Sequence, residues 1–208
     1  VKTYTHDGSE TTSDSFTYKT NDGTSDSNVA TASISIIGIN DAPVSMAING
    51  SGSEGGTITT TLTATDVDDS NAAGFNFVIT SQPANITGTI NRGTVSYASG
   101  TFTEVITYTH DDSQTISDSF TYKANDGDGD SNTATASITV TAINDASIAA
   151  GVNGSGNEGG TITTTLIATD VDNSDPSSFT FSIVSQPTNI TGSVTISDPP
   201  IYASGTFT

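Results

Sequence analysis

The chain of 208 residues carries 4 Lys plus Arg against 23 Asp plus Glu, a net charge of −19, and no cysteine. Nucleic acid is excluded as a partner, because a phosphate backbone needs clustered Lys and Arg, and anionic membrane surfaces are disfavoured on the same grounds; disulfides, thiolate catalysis and zinc ribbons fall with the missing cysteine. What such a chain attracts is cations, calcium first, since its acids sit in turn-like clusters.

In chain order, residues 1–42 hold two strong strand candidates, Phe16–Lys19 and Ala30–Ile37. Val44, Met46 and Ile48 alternate next. In Thr57–Thr65 the residues Ile58, Thr60, Leu62 and Ala64 share one face while Thr57, Thr59, Thr61 and Thr63 share the other, a period of two. The pattern returns in Phe75, Phe77 and Ile79, in a weaker pair of segments between Thr89 and Tyr97, and in Phe102–Tyr108. It returns again in Phe120, Tyr122 and Ala124, and in Ala134, Ala136, Ile138, Val140 and Ala142. Gly, Asn, Asp and Ser turns separate the segments, and helical periodicity is absent. About seven short half-buried strands in about a hundred residues predict an all-β fold, a Greek-key β-sandwich. No apolar run approaches the roughly 20 residues that span a bilayer, so no membrane insertion is expected within this segment, and any signal or anchor is expected to lie outside it.

The organisation is a tandem array. YTHDGSETTSDSFTYKTNDG from Tyr4 returns as YTHDDSQTISDSFTYKANDG from Tyr108, and 108 − 4 = 104. The same offset carries Glu54–Leu62 onto Glu158–Leu166 and Asp66-Val67-Asp68 onto Asp170-Val171-Asp172. A repeat of this length is a whole domain with its own core, far longer than a solenoid period. Ile39-Asn40-Asp41-Ala42-Pro43 reads as an interdomain joint, with Pro opening the next segment, and its echo is Ile143-Asn144-Asp145-Ala146-Ser147. The expected frame is the C-terminal half of one domain in residues 1–42, a complete domain in 43–144, and the N-terminal half of the next in 145–208. The chain is therefore expected to be a window of a longer array or a subunit whose halves complete each other between copies. In support of that fit, TFT at 206–208 followed by VKTYTHDG reproduces TFTEVITYTHDD with one residue missing.

The order NDAPV, EGGT, ATDVD, NDG, a Thr-rich strand and IND resembles cadherin domains, which share their sandwich with immunoglobulin-like folds. The run FTEVITYTHDDSQTISDSFTYKANDG resembles the cadherin-like repeats of chondroitin-sulfate proteoglycans and the extender domains of giant bacterial adhesins. The resemblance covers the whole chain in the permuted frame. It implies tandem sandwiches with calcium at each joint, which suits an ion that takes six to eight hard oxygen ligands. For the joint at 40–41 the resemblance implies Asn40, Asp41, Asp66, Asp68 and Asp126 as ligands. For the joint at 144–145 it implies Glu54, Asn144, Asp145, Asp170 and Asp172. Two departures reduce the expectation to one or two ions per joint: the mid-domain Asp-Arg-Glu triplet is missing, and the linker is one acid poorer. The function so implied is non-enzymatic, a calcium-stiffened extracellular spacer or adhesion rod on a bacterial cell surface, whose partners are neighbouring repeats. The alternative is a filament subunit assembled head to tail by strand complementation between half-domains.

Other features read as structural. His6 and His110 recur in one motif, and a catalytic group does not recur in every domain of an array; no nucleophile with an orienting partner is visible. Asp126-Gly127-Asp128-Gly129-Asp130 begins like an EF-hand loop but lacks Gly at its sixth position and ends on Ser137 at its twelfth, so a hairpin turn is expected. The outward threonines of 57–65 suit a solvent-facing strand.

Overall fold

Alternating Thr or Ser and apolar residues become strands between residues 13 and 141 of the computed structural model, which describes residues 2–208. The one helical element among the described residues is a single 3-10 turn, Pro176–Ser178. The chain divides into two compact units, Val1–Thr141 and Ala142–Thr208.

The first unit opens with β1 (Ser13–Tyr18) and β2 (Ala30–Ser35), an antiparallel ribbon in which Phe16 faces Ala32 across the strands. There follow β3 (Val44–Ser45), β4 (Ile48–Ser53), β5 (Thr57–Thr65), β6 (Asn76–Ser81) and β7 (Ile86–Arg92). The unit ends with β8 (Ser96–Ala98), β9 (Thr101–His110), β10 (Ser117–Asn125) and β11 (Ala134–Thr141). The hydrogen-bonded order is β6-β10-β11-β4-β5-β9-β7, with β3 on β5 and β8 on β9. The path bends at β4. That strand runs parallel to β11 from Ile48–Ala136 to Ser53–Thr141 but meets β5 only at Ser51–Thr59. One layer is thus β6-β10-β11-β4 and the other is β5-β9-β7, an all-β sandwich as expected.

Period-two patterning supplies the interior. Ile58, Leu62, Phe102, Ile106 and Tyr108 from one layer meet Phe77, Phe120, Tyr122, Ala136, Ile138 and Val140 from the other. Phe75 stacks on Phe102 with ring centroids 3.7 Å apart, and Phe77 meets Phe75 edge-on at 5.7 Å. An aromatic ring buries about 150–250 Å², so each of these is worth several kcal/mol of apolar burial as an upper bound.

Two segments depart from the sequence reading. Val44 and Met46 are exposed while Ser45 between them is buried. Ser45 Oγ meets Ser131 Oγ at 2.8 Å, and its backbone N–H and C=O bond the Asn132 amide, both at 3.0 Å. This polar dock fixes β3 one residue out of the apolar phase, which flips every side chain. The second departure is β4, which continues through Asn49-Gly50-Ser51-Gly52-Ser53, a stretch whose composition suggests a turn. A Cβ on Gly50 would lie 2.8 Å from Ile138 Cδ1, and one on Gly52 would lie 2.6 Å from Ile58 Cγ1. Glycine is there because the layers close on this strand.

In the second unit β12 (Ile148–Ala150), β13 (Ile167–Thr169), β14 (Tyr202–Ala203) and β15 (Thr206–Phe207) form a sheet in the order β12-β13-β15-β14. Phe207 stacks on Phe179 at 3.9 Å, and Phe179 meets Phe181 edge-on at 5.5 Å, repeating the Phe75, Phe77 and Phe102 cluster. The repeat also predicts a strand through Thr161–Leu166, yet only Ile167–Thr169 is one. In the complete domain β5 pairs with β9 from Thr57–Thr109 to Ala64–Phe102; here, among the described residues, the only such pair is Ala168–Phe207.

Candidate metal centre

At the end of β5 the chain turns through Asp66, whose Oδ1 accepts the backbone N–H groups of Asp68 and Asp69, both at 2.9 Å. This side-chain turn is what Asp does after a strand. It leaves the Asp68 carboxylate free to reach the joint, where Oδ2 accepts the N–H of Asp41 at 2.5 Å. Glu10, from the segment before β1, joins them. Oxygens of Glu10, Asp41 and Asp68 all lie within 4.8 Å of one another, on the surface.

Three carboxylates this close repel unless a proton or cation intervenes. The Glu10 carboxyl is accordingly held above its ordinary range, first by its hydrogen bond to Asp68 and then by the charges of Asp68 and Asp41. The donor set fits calcium. Oxygens on opposite sides of an ion bound at about 2.3–2.6 Å are about 4.6–5.2 Å apart, so three oxygens within 4.8 Å can share one ion.

Of the five residues expected at this joint, Asp41 and Asp68 enter the cluster directly. Asn40 Nδ2 donates to Asp126 Oδ2 at 3.0 Å and to the Asp41 carbonyl at 3.2 Å, so both residues border it. The other Asp126 oxygen caps its turn, accepting from Asp128 N at 2.8 Å and Gly129 N at 2.6 Å. Desolvation alone would raise the Asp126 pKa, but the hydrogen bonds from Asn40, Gly129 and Asp128 together hold it below the usual range. Asp66 shapes the turn through Oδ1, and its Oδ2 is buried with no hydrogen-bond partner.

Sequence reasoning missed Glu10. Its counterpart 104 residues on is Gln114, so comparing the repeats discounts it as a ligand.

The second set repeats the first locally. Asp170 Oδ1 accepts from Asp172 N at 2.9 Å and Asn173 N at 2.8 Å, and Asp172 Oδ2 accepts the N–H of Asp145. Asn144 Nδ2 bonds the Asp145 carbonyl at 2.8 Å. Glu54, in the other compact unit, is buried. It accepts from Gln114 Nε2 at 2.5 Å, and its N–H bonds the Thr141 carbonyl at 2.9 Å at the end of β11. Glu54 and Asp66 flank opposite ends of β5. Both histidines tie their own loops, His110 Nε2 to Thr115 Oγ1 at 3.0 Å and His6 Nε2 to Thr11 Oγ1 at 2.8 Å.

The family model described as bacterial Ig domain matches residues 40–139, the span of the complete sandwich, and supports an Ig-like repeat domain there. That family is non-catalytic and typically occurs in surface or extracellular proteins. A solved structure of an endo-fucoidan hydrolase from glycoside hydrolase family 107 is similar at 20% identity and a TM-score of 0.37, covering 65% of this chain and 20% of that one. At that score the likeness carries no functional argument, and the chain spans a fifth of the hydrolase. No curated protein matches. Among the described residues no helix is long and apolar enough to cross a membrane.

Proposed function

We propose that this chain is a non-enzymatic extracellular spacer, a run of Ig-like sandwiches of the cadherin-like kind whose joints are stiffened by calcium. The observation that carries the reading is the meeting of Glu10, Asp41 and Asp68 from three separate segments within 4.8 Å. Each segment belongs to a different part of the array: the preceding half-domain, the joint and the following sandwich. An ion shared by the three ties them together. Without it their mutual repulsion drives the segments apart, so stiffness depends on the cation. The Asp41–Asp68 contact recurs as Asp145–Asp172, as a device built into every repeat would.

The test is thermal unfolding and small-angle scattering of the 208-residue chain in calcium and in chelator. Calcium is expected to raise the unfolding temperature and to lengthen and narrow the scattering envelope. Superimposable curves in the two conditions would remove calcium from the proposal and leave only an Ig-like spacer.

A further inference from the structure

The complete sandwich has two free lateral edges, and they are finished differently. On the β5-β9-β7 layer the edge is broken: β7 loses register between Thr87 and Asn91, Gly88 sits there at a φ of 83°, and β8 beside it is three residues long. Irregular and short strands of this kind keep further strands from adding. On the other layer β6 pairs with β10 and, among the described residues, with no strand on its far side. It is regular from Asn76 to Ile79, opposite Asn125 to Tyr122, and its one irregularity comes beyond them, where Ser81 stands opposite Thr121 in place of Thr80. The strand Asn76-Phe77-Val78-Ile79-Thr80-Ser81 contains no charge, no Pro and no Gly.

Charge makes this edge the side on which two such chains can meet. The net charge is −19, yet from Ser70 to Thr103 the only charged residue is Arg92, and its guanidinium is engaged by Glu104. Lys123, one strand in and opposite Val78, has its ammonium 3.8 Å from Asp130. Val78 is 43% exposed while Phe77 beside it is buried. The order of side chains then selects the same strand as partner. Antiparallel pairing keeps both sandwiches on one side of a joined sheet only if outward residues face outward residues. With a two-fold axis at Val78 this holds along the strand. Val78 faces Val78 of the second copy, Phe77 faces Ile79 and Asn76 faces Thr80, so apolar meets apolar and amide meets hydroxyl.

We infer that β6 is a self-association edge, pairing antiparallel with β6 of a second copy so that the β6-β10-β11-β4 layers of the two become one continuous sheet. The unpaired N–H and C=O groups of each edge satisfy those of the other. The contact is isologous and closes at a dimer. It joins chains side by side, at the flank of the complete domain, and depends neither on the joints nor on calcium. Its length places it with transient interfaces, below roughly 1,200 Å² in total.

The experiment is disulfide trapping of the 208-residue chain, which has no cysteine of its own. Residues directly opposite in an antiparallel pair have Cα atoms about 4.5–5.5 Å apart, inside the range a disulfide spans. Val78→Cys, in chelator with oxidised glutathione, is therefore expected to give a covalent dimer of twice 21.1 kDa. Asn76→Cys leaves its two thiols four residues out of register, about 13 Å along the strand. Val105→Cys puts a comparably exposed thiol on the other layer. Both are expected to cross-link at least about tenfold more slowly, because only pairing raises the local thiol concentration. In wild-type chain, hydrogen exchange of the β6 amides should slow as concentration rises towards ~1 mM, and Val78→Lys should abolish that protection. Added salt screens the net charge and is expected to strengthen both effects. Equal cross-linking rates for the three cysteine variants, or β6 exchange independent of concentration, overturn the inference. Weakening by salt overturns it as well.

Discussion

Arg92 Nε donates to Glu104 Oε1 at 2.8 Å while Nη2 bonds Oε2, a two-pronged ion pair between β7 and β9 that holds a buried carboxylate from a half-exposed guanidinium. Glu104 lies opposite Leu62, at the edge of the apolar interior. Its charge is tolerable there only because Arg92 meets both oxygens. Arg92→Ala is expected to cost about 2–3 kcal/mol, a value below that of a fully buried pair because Arg92 is partly solvated. Arg92→Met with Glu104→Leu should cost less than Arg92→Ala alone. Urea denaturation of the three variants reads this directly, and a double change worse than the single one contradicts it.

Tyr122 ties the entry of the domain to its centre. Its hydroxyl bonds the Met46 carbonyl and lies 3.2 Å from the Thr63 carbonyl, so it fastens the segment between β3 and β4 onto β5. Tyr122→Phe keeps the ring and leaves the Met46 carbonyl short of a donor, an expected loss of about 1–1.5 kcal/mol. Faster hydrogen exchange should be confined to Val44–Ser53, with β9 and β10 unchanged.

Alkaline pH should attack the same ring. Burial raises the pKa of both Tyr108 and Tyr122, with the charge of Asp118 adding to the first. A folded-state pKa above the unfolded one near 10 means that the native state favours the neutral phenol. This stability is fully present below pH of about 10 and is lost as pH rises through the raised values. Phenolate absorbance should therefore rise for these two rings together with loss of tertiary circular dichroism. Ionisation of all six tyrosines with the fold intact would contradict this.

Gly52→Ala should destabilise by about 1–3 kcal/mol through overpacking, because its Cβ would meet Ile58 Cγ1 at 2.6 Å and the Ile58 Cα at 3.2 Å. Pairing the change with Ile58→Val, which trims the neighbouring side chain, should recover part of the loss. Thermal melts of the single and double variants give the comparison.

Cation dependence should separate by joint. Asp68→Ala removes a carboxylate from the Glu10–Asp41–Asp68 group and is expected to weaken calcium there at least about tenfold, while Asp170→Ala weakens the ion at 144–145 and spares the first. Glu10→Gln should lower affinity at the first joint alone. Calorimetric titration counts the sites, and equal losses at both joints from any one change would refute the assignment.

The strands with clean alternation were legible in the sequence because one face of each is apolar: Thr57–Thr65, Phe102–Tyr108 and Ala134–Val140 follow from their residues alone. Strand β4 was not, since Gly50 and Gly52 signal a turn, and the need for them arises only from Ile58 and Ile138 on other strands. Buried Ser45 was illegible for the same reason, its position being fixed by Ser131 and Asn132, 86 and 87 residues away. At the candidate metal centre the turn acids Asp66 and Asp68 could be read from their motif. Glu10 could not, because proximity to Asp68 depends on how residues 1–42 fold against the joint.

The parallel pairing of β4 with β11 has a mechanical consequence. Past β3 the chain enters β4 at Ile48 and leaves β11 after Thr141, at opposite ends of six paired residues. A pull on the two flanking chains therefore slides β4 and β11 along each other, loading all of their hydrogen bonds at once. An antiparallel pair pulled from one end would open rung by rung at low force. Under tension the domain is expected to hold until this pair shears, after the shorter contact of β3 with β5 at Val44–Thr65 and Ser45–Ala64 has been released.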